Sequence, residues 1–131
     1  LVLSQWRAIM DKFLWVGLGG AIGSIFRYTL SLLPIKSSFP VLTLITNLLG
    51  AFIIGVVVGL FEKQYLSSQI HLFLKTGLCG GFTTFSTFSL ETLTLLENDM
   101  IFIAIVYALI SVVGCIMGVY LGKMIVGIRA F

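Results

Sequence analysis

Two long stretches of this chain, residues 41–61 and 100–121, contain no charged side chain. A helix needs about 20 apolar residues to cross the hydrocarbon core of a bilayer, and each stretch meets that length. Charged residues make up 10% of the whole chain, against roughly a quarter in soluble domains. The sequence therefore predicts an all-α integral membrane protein.

Two further apolar runs, residues 13–33 and 70–96, are interrupted by charges. Arg27 lies inside the first, and Lys75 and Glu91 lie inside the second. With them the chain has four predicted transmembrane helices joined by short connections. Ionisable residues inside a membrane span are usually functional, so these interruptions are candidate sites.

The predicted domain organisation is one membrane domain covering residues 10–131. Met10 precedes the first span directly and is the expected start, which makes residues 1–9 an upstream extension. The run after Lys12 is too long for a signal peptide and has no Ala-x-Ala cleavage site. No room is left for a soluble catalytic domain, and we expect no enzyme activity.

The basic residues are scattered and form no stripe, so we expect no nucleic-acid partner. Only Lys36 lies clearly on the side of the membrane opposite the chain ends. The basic residues on the terminal side are Lys12, Lys63, Lys75, Lys123 and Arg129. By the positive-inside rule this predicts a cell-membrane protein with both ends in the cytoplasm.

Glycines spaced four apart recur in the spans, as in the pair Gly19 and Gly23. The others are Gly55 and Gly59, and then Gly114, Gly118 and Gly122. Small residues at this spacing let helix backbones approach closely in lipid, and packing alone explains most of them. Cys79 and Cys115 both fall inside apolar spans, so we expect two small core residues and no disulfide.

The third span is unusual because three glycines and five hydroxyl side chains lie between residues 77 and 89. Each glycine in a helix costs about 1 kcal/mol relative to alanine. Adjacent Gly80 and Gly81 therefore suggest a break, and we expect two half-helices that meet between Gly80 and Thr83. Unpaired carbonyls at such a break must be buried in protein, face a wet cavity or coordinate an ion.

Helical spacing beyond the break sorts the side chains into two faces. One face is aromatic and the other is polar. The first holds Phe85, Phe88 and Thr92, and the second holds Thr84, Thr87 and Glu91. Two interpretations stay open, because the rings can simply pack or contact lipid while the hydroxyls bond to carbonyls four residues back.

Asn47 lies in the middle of an otherwise apolar span, and a buried amide needs partners. It can bridge two helices, or its NH₂ group can donate to a passing anion. In the fourth span, Tyr107, Ser111 and Cys115 follow one helix face and could line a narrow path. Spans one, two and four have no deep carboxylate of the kind that proton-coupled exporters use.

Three blocks of this sequence together resemble the signature blocks of the Fluc/CrcB fluoride channels. They read GGAIGSIFRY at 19–28, TLITNLLGAF at 43–52 and GLCGGFTTFSTFS at 77–89, followed by Glu91. They occur in the family's order, and the resemblance covers the chain after Met10.

The resemblance implies a dual-topology dimer of antiparallel four-helix subunits in a bacterial cell membrane. Two pores along the subunit interface would export fluoride passively. The implied pore residues are Asn47, Phe85, Phe88, Tyr107, Ser111, Thr84 and Thr87, with Arg27 in the vestibule. The carbonyls of Gly80 and Thr83 would bind a structural, untransported Na⁺ at the dimer centre.

One departure from this family picture is the charge bias, because a subunit that inserts both ways should carry balanced basic residues. We therefore keep two expectations open, an antiparallel homodimer and a heterodimer with an oppositely oriented homologue.

Two other functions also remain. A small four-span exporter would want a glutamate where the first span has Arg27, and a non-conducting scaffold subunit would not need Asn47, Phe85 and Phe88 together.

Overall fold

A computed structural model describes residues 2–128 of the chain, and Arg129 therefore lies outside the described residues. The described part is helical and contains no strand. The elements in order are α1 (Val2–Ser31), α2 (Val41–Glu62), α3 (Ser68–His71), a π-helix (Leu72–Cys79), α4 (Gly80–Phe82), α5 (Phe85–Glu97) and α6 (Ile101–Ile125).

Among these residues, α1, α2 and α6 are each long and apolar enough to cross a membrane. Many large apolar side chains on their surfaces face outward, among them Leu3 at 78% and Phe102 at 79% exposure. Such a surface is stable in lipid and unfavourable in water. The chain is a multi-pass membrane protein, as the charge-free runs predict.

Helices α2 and α6 pack along their glycines. A Cβ atom at Gly55 would collide with the carbonyl oxygen of Val119, and one at Gly122 would collide with that of Phe52. The backbones of the two helices are therefore in direct contact. Close approach of this kind is what spaced glycines provide in a membrane, where apolar burial does not drive helices together.

Helix α1 packs in the same way against the segment from Leu72 to Phe82. A Cβ atom at Gly19 would collide with the carbonyl of Phe73, and one at Gly23 with that of Leu78. This contact places the glycine-bearing face of α1 against the residues that precede α5.

The non-helical point in residues 68–97 is not where the glycines predict it. Gly80 and Gly81 lie within helical turns, and the extended residues are Thr83, at φ −80° and ψ 157°, and Thr84, at φ −151° and ψ 114°. The glycines that suggest a break therefore remain helical, and of the predicted stretch from Gly80 to Thr83 only Thr83 is extended. Gly81 serves close packing instead, because a Cβ atom there would collide with the carbonyl of Gly20.

The best-buried aromatic side chain lies between α5 and α6. Tyr107 is fully buried with Leu95 and Ala104, and Phe39 and Phe88 pack against this cluster. At the other end of α6, Lys123 Nζ forms a 2.8 Å ion pair with Glu62 Oε1 at the end of α2. This ion pair adds to the glycine contacts that hold α2 against α6.

Candidate functional site

The side chain of Asn47, on α2, binds the extended residue Thr84. Its Nδ2 donates to the Thr84 carbonyl at 3.0 Å, and its Oδ1 accepts from the Thr84 N–H at 2.7 Å. The amide thus satisfies both backbone groups of a residue that has left the helix. An amide NH₂ carries two donor hydrogens, so one N–H of Asn47 remains for another partner.

Thr84 also caps α5. Its Oγ1 accepts from the Thr87 N–H at 3.1 Å and donates to Thr87 Oγ1 at 3.0 Å. This is the N-cap arrangement, in which a hydroxyl satisfies an amide that has no partner in the first helical turn. The positive end of the α5 dipole therefore lies at Thr84.

Two further side chains donate hydrogen bonds to backbone carbonyls near the end of α4. Thr83 Oγ1 donates to the Cys79 carbonyl at 2.9 Å, and Arg27 Nε, from α1, donates to the Gly81 carbonyl at 3.0 Å. Within residues 2–128, the carbonyls of Gly80 and Thr83 receive no comparable side-chain hydrogen bond. Both carbonyls lie where the helical turns of α4 give way to the extended residues.

An open groove of about 290 Å³, the apolar groove, runs beside this interruption. Six of the predicted site residues line it, namely Asn47, Thr83, Thr84, Phe85, Phe88 and Ser111. The Ser111 hydroxyl is buried and has no hydrogen-bond partner within the described residues. A buried hydroxyl without a partner is costly, so a ligand in this groove would gain a ready donor.

A second space of about 400 Å³, the polar groove, lies on the other side of Thr84. Arg27, Thr84 and Thr87 line it together with Thr43 and Thr46. Thr84, at the interruption, borders both grooves. Three of the predicted site residues thus belong to a polar entrance beside the apolar groove.

Two predicted aromatic residues lie next to each other at the apolar groove. The ring centroids of Phe85 and Phe88 are 5.4 Å apart, and Phe85 is 76% exposed in the single chain. Tyr107 is packed 5.2 Å from Phe88, but it lines neither groove. The predicted pore and vestibule residues are therefore divided between the two grooves, except for Tyr107, which packs against Phe88 and lines neither.

A family model described as CrcB-like protein, Camphor Resistance (CrcB), matches residues 14–123 of this chain. That range is most of the sequence and contains every residue that lines the two grooves. The chain belongs to the CrcB family.

Relatives of this CrcB chain are named fluoride-specific ion channel FluC. The protein of Methanocaldococcus jannaschii is 42% identical over 118 residues, covering 89% of this chain and 95% of its own. That of Methanococcus maripaludis is 45% identical, covering 88% and 95%. That of Shewanella frigidimarina is 44% identical, covering 89% and 97%. The family is one of ion channels, which confirms the prediction that the chain is not an enzyme.

Glu91 is a candidate site by its position inside an apolar span, but the sequence gives it no specific role in this CrcB chain. Its Oε1 accepts from Thr43 Oγ1 at 2.7 Å, and its Oε2 accepts from Tyr107 O–H at 2.7 Å. Both carboxylate oxygens are therefore occupied by hydroxyls from α2 and α6. The signal available in the sequence was the position of Glu91 itself, an ionisable residue inside an apolar span.

The two interpretations of the hydroxyls in α5 apply to different residues. Ser89 Oγ and Thr92 Oγ1 donate to the carbonyls of Phe85 and Phe88, four residues back, at 2.9 and 2.8 Å. Thr84 does not do so and instead connects the cap, the amide of Asn47 and both grooves. Local back-bonding therefore explains part of the hydroxyl density, and the interruption explains the rest.

The two cysteines also differ. Cys79 is fully buried, as the sequence predicts. Cys115 is a half-buried free thiol that lines the apolar groove, so the expectation of a core residue is wrong there. The helix face that holds Ser111 carries Cys115 into the groove one turn later.

Proposed function

We propose that this chain forms a fluoride-selective channel that passively exports cytoplasmic fluoride. The observation that carries the proposal is the unpartnered Ser111 hydroxyl, buried in a groove beside the amide of Asn47 and the rings of Phe85 and Phe88. The naming of the relatives as fluoride-specific ion channels supports the same conclusion.

The chemistry of the groove fits a small, strongly hydrated anion. Stripping water from fluoride must be offset by donors, and the Ser111 O–H and the second N–H of Asn47 are such donors. The edge of an aromatic ring is positive, so Phe85 and Phe88 can meet an anion without a buried cation that would hold it too tightly. Several weak contacts in sequence permit passage.

The proposed path joins the two grooves. Fluoride would collect in the polar groove, where Arg27 is the vestibule charge and Thr84 and Thr87 offer hydroxyls. It would then pass Thr84 into the apolar groove beside Ser111. Tyr107 would act on this path through Phe88 and through Glu91, to which its hydroxyl donates.

We propose that residues 68–97 are a fourth crossing, interrupted in mid-membrane, and that two copies pair in antiparallel orientation. The apolar groove is open on the surface of a single chain, and Phe85 is mostly exposed. A second copy would close the groove, so that one dimer contains two pores. Because the basic residues favour one orientation, a heterodimer with an oppositely oriented homologue is the alternative.

A structural Na⁺ at the dimer centre belongs to the same proposal, with the carbonyls of Gly80 and Thr83 as ligands. Two features fit it. Carbonyl oxygens suit a hard cation, and these two carbonyls are outside the set bound by Arg27 and Asn47. Gly80 is exposed in the single chain, so a second copy can share the ion. When bound, Na⁺ would neutralise the partial negative charge at the end of α4.

Fluoride efflux from liposomes that contain the purified protein tests the function, with chloride efflux as the control. We expect fluoride efflux down its own gradient, without chloride efflux and without a proton gradient. A proton-coupled exporter would need that gradient, and a scaffold subunit would give no efflux. Absence of fluoride flux would overturn the proposal for the homodimer.

The pairing is tested by tagging both ends of the chain, expressed alone. Equal labelling on both faces of the membrane, with fluoride efflux intact, would support the homodimer and remove the heterodimer. Labelling on one face together with inactivity would support the need for an oppositely oriented partner.

A further inference from the structure

We propose that Arg27 is a positioning residue for conduction, in addition to being a charge in the polar groove. Through Nε it holds the Gly81 carbonyl and so fixes the backbone at the interruption between α4 and α5. This inference rests on the proposed fluoride channel and adds a role for one atom of one side chain.

The packing of α1 sets up this contact. Gly20, Ser24 and Arg27 follow one face of α1, at spacings of four and three residues. A Cβ atom at Gly81 would collide with the Gly20 carbonyl and would lie 3.0 Å from Ser24 Oγ. The backbone at Gly81 therefore packs against this face, one turn from Arg27. The contact between α1 and Gly81 brings Arg27 Nε within hydrogen-bonding distance of the Gly81 carbonyl.

The Gly81 carbonyl needs a partner from outside its own helix. In a continuous helix it would accept from the N–H four residues later, at Phe85. That residue begins α5, after the extended Thr83 and Thr84. A basic side chain at the C-terminal end of a helix satisfies such a carbonyl and complements the helix dipole. Arg27 does this from 54 residues away in sequence.

Two helices thus hold the two sides of the interruption. Arg27 on α1 binds the carbonyl of Gly81, and Asn47 on α2 binds both backbone groups of Thr84. Rotation of the Gly81 peptide would shift the neighbouring Gly80 carbonyl and the position of Thr84, which borders both grooves. By fixing the backbone at Gly81, Arg27 therefore affects the conduction path indirectly.

Three substitutions separate this role from that of a charge. Arg27→Gln keeps an N–H donor at the same distance along the side chain as Nε but removes the charge. Arg27→Lys keeps the charge and puts a methylene group at the place of Nε. Arg27→Met removes both. If Arg27 acts through Nε, fluoride flux should be higher in Arg27→Gln than in Arg27→Lys and Arg27→Met. If it acts through its charge alone, flux should be higher in Arg27→Lys than in Arg27→Gln.

In the liposome assay we expect Arg27→Gln to lower fluoride flux by about three-fold, because it loses the vestibule charge that attracts the anion but keeps the donor to the Gly81 carbonyl. We expect Arg27→Lys and Arg27→Met to lose about ten-fold or more, the effect of one hydrogen bond to a charged group. Arg7→Gln, an exposed arginine in the same helix, is the matched control and should conduct normally.

A second measurement does not depend on flux. Amide hydrogen exchange of the peptide covering residues 78–88 should rise in Arg27→Lys and Arg27→Met and stay near normal in Arg27→Gln. A peptide from α6 should be unchanged in all three, which separates local release of the interruption from general loosening of the fold. If Lys and Met fail to assemble and Gln assembles, that ranking supports the same role.

The inference is overturned if Arg27→Lys conducts and Arg27→Gln does not, or if all three variants exchange alike in residues 78–88. Failure of the proposed function looks different, because then the unsubstituted chain itself conducts no fluoride. In that case the ranking of hydrogen exchange still decides whether Nε holds the interruption.

Discussion

The packing of α2 against α6 and the packing of α1 against residues 72–82 use the same device. In both, glycines remove the side chain where the backbone of one element meets that of the other, as at Gly122 against Phe52 and at Gly23 against Leu78. What differs is the backbone beside the contact. Helices α2 and α6 continue through it without a break, whereas α4 ends at Phe82 and two extended residues follow.

That difference shows which features mark a site in a chain of this kind. Spaced glycines occur in both pairs, so they indicate close packing and nothing more specific. Side chains that bind the backbone of another helix occur around the interruption, where Arg27 and Asn47 each satisfy groups that the helix no longer pairs. In lipid such groups must find a partner, and we expect function to depend on the residues that supply those partners.

The largest effect is expected at the interruption itself. Asn47→Asp keeps the acceptor for the Thr84 N–H but replaces the donor to the Thr84 carbonyl by a second acceptor. We expect fluoride flux to fall about a hundred-fold while dimer assembly is largely kept, since a buried carbonyl loses its partner. Liposome efflux and size-exclusion chromatography measure the two.

Asn98→Asp, at the exposed end of α5, is the control for this change and should leave flux normal. Loss of assembly in Asn47→Asp would instead assign Asn47 to bridging the helices, and the contrast between the two regions would lose its clearest case.

A substitution in the contact between α2 and α6 should lower the stability of the protein. In Gly122→Ala the new methyl group meets the backbone of Phe52, which cannot move aside as a flexible side chain could. We expect the free energy of unfolding to fall by about 2 kcal/mol, the usual cost of overpacking. Denaturant unfolding in detergent measures it, and a loss under 0.5 kcal/mol would mean that the α2 and α6 backbones are not in tight contact.

A smaller effect on flux is expected at the aromatic edge of the groove. Phe85→Ile keeps an apolar side chain but removes the positive ring edge, so we expect about ten-fold lower fluoride efflux with normal assembly. Phe102→Ile, at an outward-facing position on α6, is the matched control. Equal flux in both variants would reduce Phe85 to a packing or lipid-contact residue.

The smallest expected effect is a gain. Gly17 lies in α1, and within residues 2–128 a Cβ atom placed there would have no atom within 4 Å apart from its own turns of helix. We expect Gly17→Ala to raise the free energy of unfolding by about 0.5–1 kcal/mol, because alanine favours a helix more than glycine does. The same unfolding experiment measures it. A loss of stability would reveal a contact at Gly17 and would extend the packed face of α1 toward its N-terminus.

Much of the fold and part of the site could be predicted from the sequence. Lipid imposes a simple rule on composition, so charge-free runs such as residues 41–61 and spaced glycines identify spanning helices and their contact faces. The residues of the apolar groove could be named because polar and aromatic side chains stand out in an apolar span. Asn47, Phe85 and Ser111 stand out in this way, and the resemblance to the fluoride channels is what assigns them to a pore.

Only the tertiary structure decided where the helix stops and what holds it there. The glycine penalty predicts a break at Gly80 and Gly81, but contact with α1 makes those glycines useful inside a helix, and the chain leaves the helix at Thr83 and Thr84. The carboxylate of Glu91 between Thr43 and Tyr107, and the Arg27 hydrogen bond to Gly81, join residues far apart in sequence. Local pattern states which groups need partners, and the arrangement of the helices determines which partners they find.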